Sequence, residues 1–262
     1  MKKILFILLL CIVTLSCYSS TKSSKSSSQV KDKDKEFTNQ KALAIASVRR
    51  GNFQQALIDL ERAEELNKKD PEVFLIKGII YYGLKDNNAA EESYLKSIKL
   101  DDTYTEAYYN LCGLYLFEER YDEAIAQCSI AASDPTYRAR SSVLTNLGIA
   151  YFRKGDVNKA KQYYDKALEI NPAYVYTHNE MGKLYMSIGK EQEAIQEFKQ
   201  AISGFPEYAE AHFNLGVVYL KEGKKPLACY SFKRVVDLSP NSKLGVNSNK
   251  YLNTICSVQY SN

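Results

Sequence analysis

Histidine, proline and glycine are scarce in this 262-residue sequence, at two, six and 12 residues. With so few enforced turns, long stretches are free to run as helix. Two histidines fall short of the three converging protein ligands a catalytic zinc site uses. No Gly-rich phosphate loop and no Gly-x-Ser-x-Gly turn occurs either, so neither an enzyme nor a bound metal or cofactor is expected. A basic surface is missing as well. The chain has 35 Lys and Arg against 31 Asp and Glu, and residues 1–36 hold seven lysines against three acids, which leaves 28 of each sign in 37–262. A nucleic-acid partner, which needs a concentrated basic face, is thereby disfavoured.

A long apolar run is also absent. The one candidate, Ile4 to Val13 behind Lys2-Lys3, is too short to span a bilayer and suits the hydrophobic region of an export signal. Thr14-Leu15-Ser16-Cys17 follows, and it resembles a bacterial lipoprotein cleavage box, in which the cysteine becomes the lipid-bearing first residue. An ordinary secretory signal with an incidental cysteine is the alternative. The resemblance implies a signal peptide over 1–16 and a lipidated Cys17. Residues 17–36 are rich in Ser, Lys, Thr and Asp and read as a flexible tether with an r.m.s. span of about 25 Å. Tyr18 is not the aspartate that retains lipoproteins in the inner membrane, so the implied destination is the periplasmic face of the outer membrane.

What the chain does have is self-similarity, most legible over Ser141 to Tyr174. Leu144, Leu147, Gly148 and Tyr151 share one helix face, Gly155-Asp156 breaks the pattern, and Val157, Ala160, Tyr164, Ala167, Leu168 and Ile170 resume it until Asn171-Pro172. The small residue early in each second helix recurs as Ala56, Ala90, Ala124, Ala160, Ala194 and Ala228, with one interval two residues longer than the rest. Ala44, Gly78, Cys112, Gly148, Gly182 and Gly216 mark the matching place in each first helix. The later large position reads Leu60, Tyr94, Cys128, Tyr164, Phe198 and Phe232.

These positions resemble the tetratricopeptide repeat. The resemblance implies an all-α, right-handed superhelical solenoid of six helical hairpins at 37–70, 71–104, 105–140, 141–174, 175–208 and 209–242. Residues 243–262 are expected to supply a C-terminal capping helix and tail, with Leu244, Tyr251, Leu252 and Ile255 turned onto the last hairpin. His178 and His212 share a position where this family packs a large side chain, and Glu118, Glu119, Glu191 and Glu193 fall where solvated acids are expected. Cys112 and Cys128, and Cys229 and Cys256, could pair in an exported chain, but spacing alone fixes no Cα separation, so both pairings stay open.

In such repeats partners lie on the concave face built from the first helices. Carried onto this chain, that face comprises Leu75, Ile79, Tyr82, Tyr109, Leu116, Phe117, Ile149, Phe152, Tyr176, Met186, Phe213, Val217 and Leu220, an apolar and aromatic groove expected to hold a partner's helix or strand. Clamp-type polar residues are few there: Asn179, Lys183 and Lys221. A narrower resemblance is carried by Asn110, Gly113 and Leu114, Arg120-Tyr121, Glu123-Ala124, Ala132-Ser133-Asp134, Tyr137, Arg140-Ser141 and Asn146-Leu147-Gly148. These look like the third and fourth repeats of the type IV pilus pilotin lipoproteins, which implies a lipid-anchored scaffold assisting outer-membrane secretin assembly. An envelope adaptor that docks peptidoglycan hydrolases is the alternative.

Overall fold

The computed structural model describes residues 29–256, in which helices joined by short turns are the regular structure and no strand occurs. The expected signal segment and Cys17 lie outside the described residues. Helix α1 covers 29–49. It is followed by α2 (Phe53–Leu66), α3 (Pro71–Gly83), α4 (Asn87–Leu100), α5 (Thr105–Phe117), α6 (Tyr121–Ser133), α7 (Arg140–Arg153), α8 (Val157–Ile170), α9 (Val175–Ser187), α10 (Glu191–Gly204), α11 (Ala209–Lys221), α12 (Lys225–Leu238) and α13 (Lys243–Tyr251). The hairpins belong to two compact units, Met1–Ala107 and Tyr108–Asn262. One boundary differs from expectation. Residues 29–36 are the exposed opening turns of α1 rather than tether, because their Lys, Asp and Glu are compatible with a helix once the chain beyond them nucleates one.

Each hairpin turns in the same way. The second residue past the first helix takes positive φ at Gly51, Lys85, Glu119, Gly155, Gly189 and Gly223. The amide that follows reaches back five residues, as in Asp86 N–H to the Tyr81 carbonyl (2.9 Å) and Asp156 N–H to Tyr151 (2.9 Å). This is the Schellman closure, which satisfies carbonyls that a helix end would otherwise orphan. Asn52, Asp86 and Asp156 then cap the second helix by accepting from the amide three residues on.

The helices of a hairpin are locked by a contact that repeats at a fixed offset. A Cβ added to Gly78, Gly148, Gly182 or Gly216 would lie 2.4, 2.3, 2.5 or 2.8 Å from a ring carbon of Tyr94, Tyr164, Phe198 or Phe232. The glycines are therefore sockets for rings 16 residues downstream. The first hairpin holds the smaller pair Ala44 and Leu60, both fully buried. In the third, the same two places carry Cys112 and Cys128, joined as a disulfide with Cα atoms 5.3 Å apart.

In the second unit α7 touches α9, α9 touches α11 and α11 touches α13, whereas nothing among the described residues joins α6 to α8, α8 to α10 or α10 to α12. The first helices thus form an inner layer and the second helices spread apart outside it. The far end closes as expected, with Tyr251 stacked on Phe232 (4.6 Å between centroids, 7° between planes) and Leu252 packed on the same cluster. A π-turn, Leu252–Cys256, brings Cys256 to Cys229 as a second disulfide with Cα atoms 6.0 Å apart.

Candidate partner-binding face

The inner face of the second unit is built by the sides of first helices that face away from α6, α8, α10 and α12. Phe117 ends α5 and is 64 % exposed, the largest such value among the face residues. Tyr109 lies on the same helix, its ring 5.9 Å from that of Tyr137. Ile149 and Phe152 on α7 are half-buried, their inward edges packed on the cluster of Tyr164, Met181 and Leu184. Met186, Phe213, Val217 and Leu220 are likewise half-buried over the cluster of Phe198, Leu215 and Phe232. Leu116 is half-buried as well. Ile149, Phe152, Met186, Phe213, Val217 and Leu220 thus divide their area between core and surface, so this part of the face is anchored from below and holds its shape before any partner arrives.

Of the remaining residues of the expected groove, Tyr176 on α9 is exposed, and Leu75, Ile79 and Tyr82 lie in the first unit. Tyr82 is exposed and Ile79 half-buried, but Leu75 is only 5 % exposed and belongs to the core. Its place in the groove is corrected accordingly. The repeat register does not show how far a helix is rotated, and a small rotation moves an apolar side chain from rim to interior.

Polar groups on this face are spoken for. Asn179 is fully buried, accepts from Asn214 Nδ2 (3.0 Å) and donates to Glu210 Oε1 (3.2 Å). Lys183 Nζ donates to Glu210 (3.1 Å) and pairs with Glu180. Burial raises the Glu180 carboxyl despite Lys183 beside it. For Lys183 burial pulls the other way, yet attraction to Glu180 and Glu210 leaves it raised. Lys221 is bound to Glu191. None of the three clamp-type residues is available for a foreign carboxylate, because the chain supplies its own.

Tyr176, expected in the groove, stands in an aromatic run at the loop end of α9 and α11 whose other members, Tyr174, Phe205 and Tyr208, were not expected there. The Tyr174 and Tyr208 rings lie 5.4 Å from Tyr176 on either side, edge-on, and Phe205 stacks on Tyr208 at 5.9 Å. The available signal was tyrosine at the last position of the repeat, at Tyr104, Tyr174 and Tyr208. Both histidines are structural. His178 contacts Glu197 Oε2 (2.7 Å) and the Pro172 carbonyl (2.9 Å), and His212 the Pro206 carbonyl (2.9 Å). Hydrogen bonding to Glu197 raises the His178 imidazole, whereas burial lowers that of His212. Among the described residues no cluster could hold a metal ion, and no helix is long and apolar enough to cross a membrane.

Comparison with known proteins places this geometry. Residues 41–105, 141–174, 163–196 and 209–242 match tetratricopeptide-repeat families, and 182–223 a further family described as TPR repeat. The type IV pilus assembly protein PilF of Pseudomonas aeruginosa is 27 % identical over 129 residues, 49 % of this chain and 51 % of that protein. The chain therefore spans about half the length of that relative. The solved structure of Pseudomonas aeruginosa PilF superposes with a TM-score of 0.72 at 21 % identity, over 84 % of this chain and 99 % of that one. PilW, a type IV pilus biogenesis factor, superposes with a TM-score of 0.73 at 22 % identity, over 80 % and 97 %. At such identities the superpositions speak for the shared fold.

Proposed function

The chain is a tetratricopeptide-repeat protein, and from that premise we propose that it is a lipid-anchored scaffold of the bacterial envelope that assists secretin assembly in type IV pilus biogenesis. The observation that carries the binding role is Phe117, an aromatic side chain 64 % exposed on the face where Ile149 and Phe152 are anchored in the core. A rigid scaffold that keeps such a side chain in water offers a binding hot spot. The pilus context is supported by the similarity to PilF and PilW. Export is supported by two disulfides, which persist in oxidising compartments. A segment of a secretin subunit would lie across Tyr109, Phe117, Ile149 and Phe152.

Burying a side chain of this size contributes roughly 1.5–3 kcal/mol. Phe117→Ala with Phe152→Ala should therefore weaken binding by about two orders of magnitude or more and lower secretin multimer yield in a strain whose mutant protein is still folded. Normal multimers together with lost binding to a cell-wall hydrolase would move the assignment to an envelope adaptor. The anchor is tested apart from this: Cys17→Ser should release the protein from the membrane fraction and abolish fatty-acid labelling, and unchanged labelling would refute it.

A further inference from the structure

Among the described residues the second helices of neighbouring hairpins within a unit do not touch, so a crevice lies between α2 and α4 in the first unit and between α6 and α8, α8 and α10, and α10 and α12 in the second, each floored by the first helix between them. The chain fills these crevices differently. Between α2 and α4 the floor residue Phe74 and the Glu64 carboxylate take up the space. Glu64 pairs with Lys77 and, at 3.3 Å, with Lys96, whose ammonium stands 3.9 Å over the Phe74 ring. The cavity left there measures about 200 Å3. Between α8 and α10 the equivalents of Glu64 and Phe74 are Leu168 and His178, and between α10 and α12 they are Ile202 and His212. Leu168 and Ile202 pack onto the core.

The crevice between α6 and α8 has neither filling. At the same register Glu64 is replaced by Ala132, Phe74 by Leu144 and Lys77 by Leu147, while the counterpart of Lys96 is kept as Lys166. The result is a cavity of about 490 Å3. A second cation enters it: Arg140, which spends its Nε–H on the Ala132 carbonyl (3.1 Å). Lys166 Nζ stands 5.2 Å from the Tyr163 ring centroid. Among the described residues neither cation has a carboxylate within ion-pair distance, although the exposed Glu169 is also part of the wall.

We propose that the α6–α8 cavity binds a short peptide segment that brings what this crevice lacks, a carboxylate for Arg140 and Lys166 and a large apolar side chain to lie over Leu144 and Leu147. The warrant is internal: the same chain, in its α2–α4 crevice, satisfies the lysine and the floor of the same register with Glu64 and Phe74. A volume of this size, apolar at its base with a few cationic groups at its wall, suits one or two residues of a ligand. The carboxylate comes from an acidic side chain or from a chain end. The site lies on the outer layer, away from Phe117 and Phe152, so it operates independently of the face assigned above.

Three probes titrated into isotope-labelled protein separate the possibilities: acetyl-Glu-Phe-amide, acetyl-Gly-Phe with a free carboxyl terminus, and neutral acetyl-Gln-Phe-amide. Amide shifts at Ser129, Ser133, Leu144 and Leu147 report the cavity. At least one acidic probe should bind about tenfold more tightly than the neutral one, and whichever binds better identifies the carboxylate's source. Arg140→Gln and Lys166→Gln should each weaken that probe about tenfold. Ala132→Glu, which installs the carboxylate of the filled crevice, should abolish binding while the melting temperature is kept. Should that variant fail to fold, the two glutamine variants decide. Equal binding of the neutral probe, undiminished binding in the glutamine variants, no shifts at millimolar probe, or shifts at Phe117 and Phe152 in place of the cavity would each overturn the proposal. Loss of secretin multimers in the Phe117→Ala/Phe152→Ala strain would be unaffected by any of these results.

Discussion

Replacing Cys112 by Gly and Cys128 by Tyr should give the third hairpin the noncovalent lock used by its neighbours and free its stability from oxidation. The two cysteines stand 16 residues apart, the offset that joins Gly78 to Tyr94 and Gly148 to Tyr164. A disulfide closing a loop of that length contributes about 3 kcal/mol. A ring seated in a glycine socket buries enough apolar area for roughly 1.5–3 kcal/mol. Under oxidising conditions the exchange should therefore be nearly neutral; under reducing conditions the variant should hold while the parent weakens. The comparison belongs in a Cys229→Ser/Cys256→Ser background, so that one bond is tested at a time. With about 2–4 °C per kcal/mol for a unit of this size, reduction should lower the parent's melting temperature by roughly 6–12 °C and leave the Gly/Tyr variant unmoved. Cys112→Ser/Cys128→Ser should melt with the reduced parent. If parent melts with and without reductant coincide, or if the Gly/Tyr variant is no more stable than the Ser/Ser one, the equivalence of the two locks is wrong.

Gly182→Ala should destabilise by about 1–3 kcal/mol, because its Cβ would lie 2.5 Å from the Phe198 ring and outweigh the gain in helix propensity. Adding Phe198→Leu, after the Ala44 and Leu60 pair, should recover part of that loss in urea denaturation. Lys85 and Glu119 hold φ at 65° and 60°, so Glu119→Gly should raise stability by about 1 kcal/mol and Gly189→Ala should lower it similarly, both measured by chemical denaturation. His178 has a folded pKa above its ordinary 6.5, so the stability it adds is full below about pH 6.5 and is lost as pH rises through the folded value. The stability difference between wild type and His178→Gln should accordingly shrink on going from pH 6 to well above that value. A difference that does not change with pH would refute the pairing with Glu197.

The register of the fold was legible because small residues recur where helices touch: Ala56 and its five counterparts are all fully buried. Turn chemistry was legible only where glycine announced it. At Lys85 and Glu119 the same left-handed turn is imposed by the hairpin on residues that do not favour it, and local preference gives no sign of that. The disulfides were not legible from spacing, yet the offset shared by Cys112–Cys128 and the glycine–aromatic pairs was a signal that alignment by repeats could have used. On the candidate face, Phe117 stands exposed where the repeat register put it, whereas Leu75 depends on helix rotation, a property of packing rather than of order along the chain. The occupation of Lys183 and Asn179 by Glu210 likewise emerges only when α9 and α11 are brought side by side.

The positions of the two disulfides decide where the second unit can open. A stack of hairpins behaves like a zipper, losing its outermost teeth first because each has a neighbour on one side only. Here one bond closes the α5–α6 hairpin at the start of the unit and the other fastens the last turn to α12. With the first hairpin of the unit cross-linked and its last turn fastened to α12, opening is suppressed at these two places, and breathing motions are displaced toward α7 to α10. Amide exchange should then be slow at the borders and faster in the interior hairpins, which are the ones that carry Ile149, Phe152 and one wall of the outer cavity.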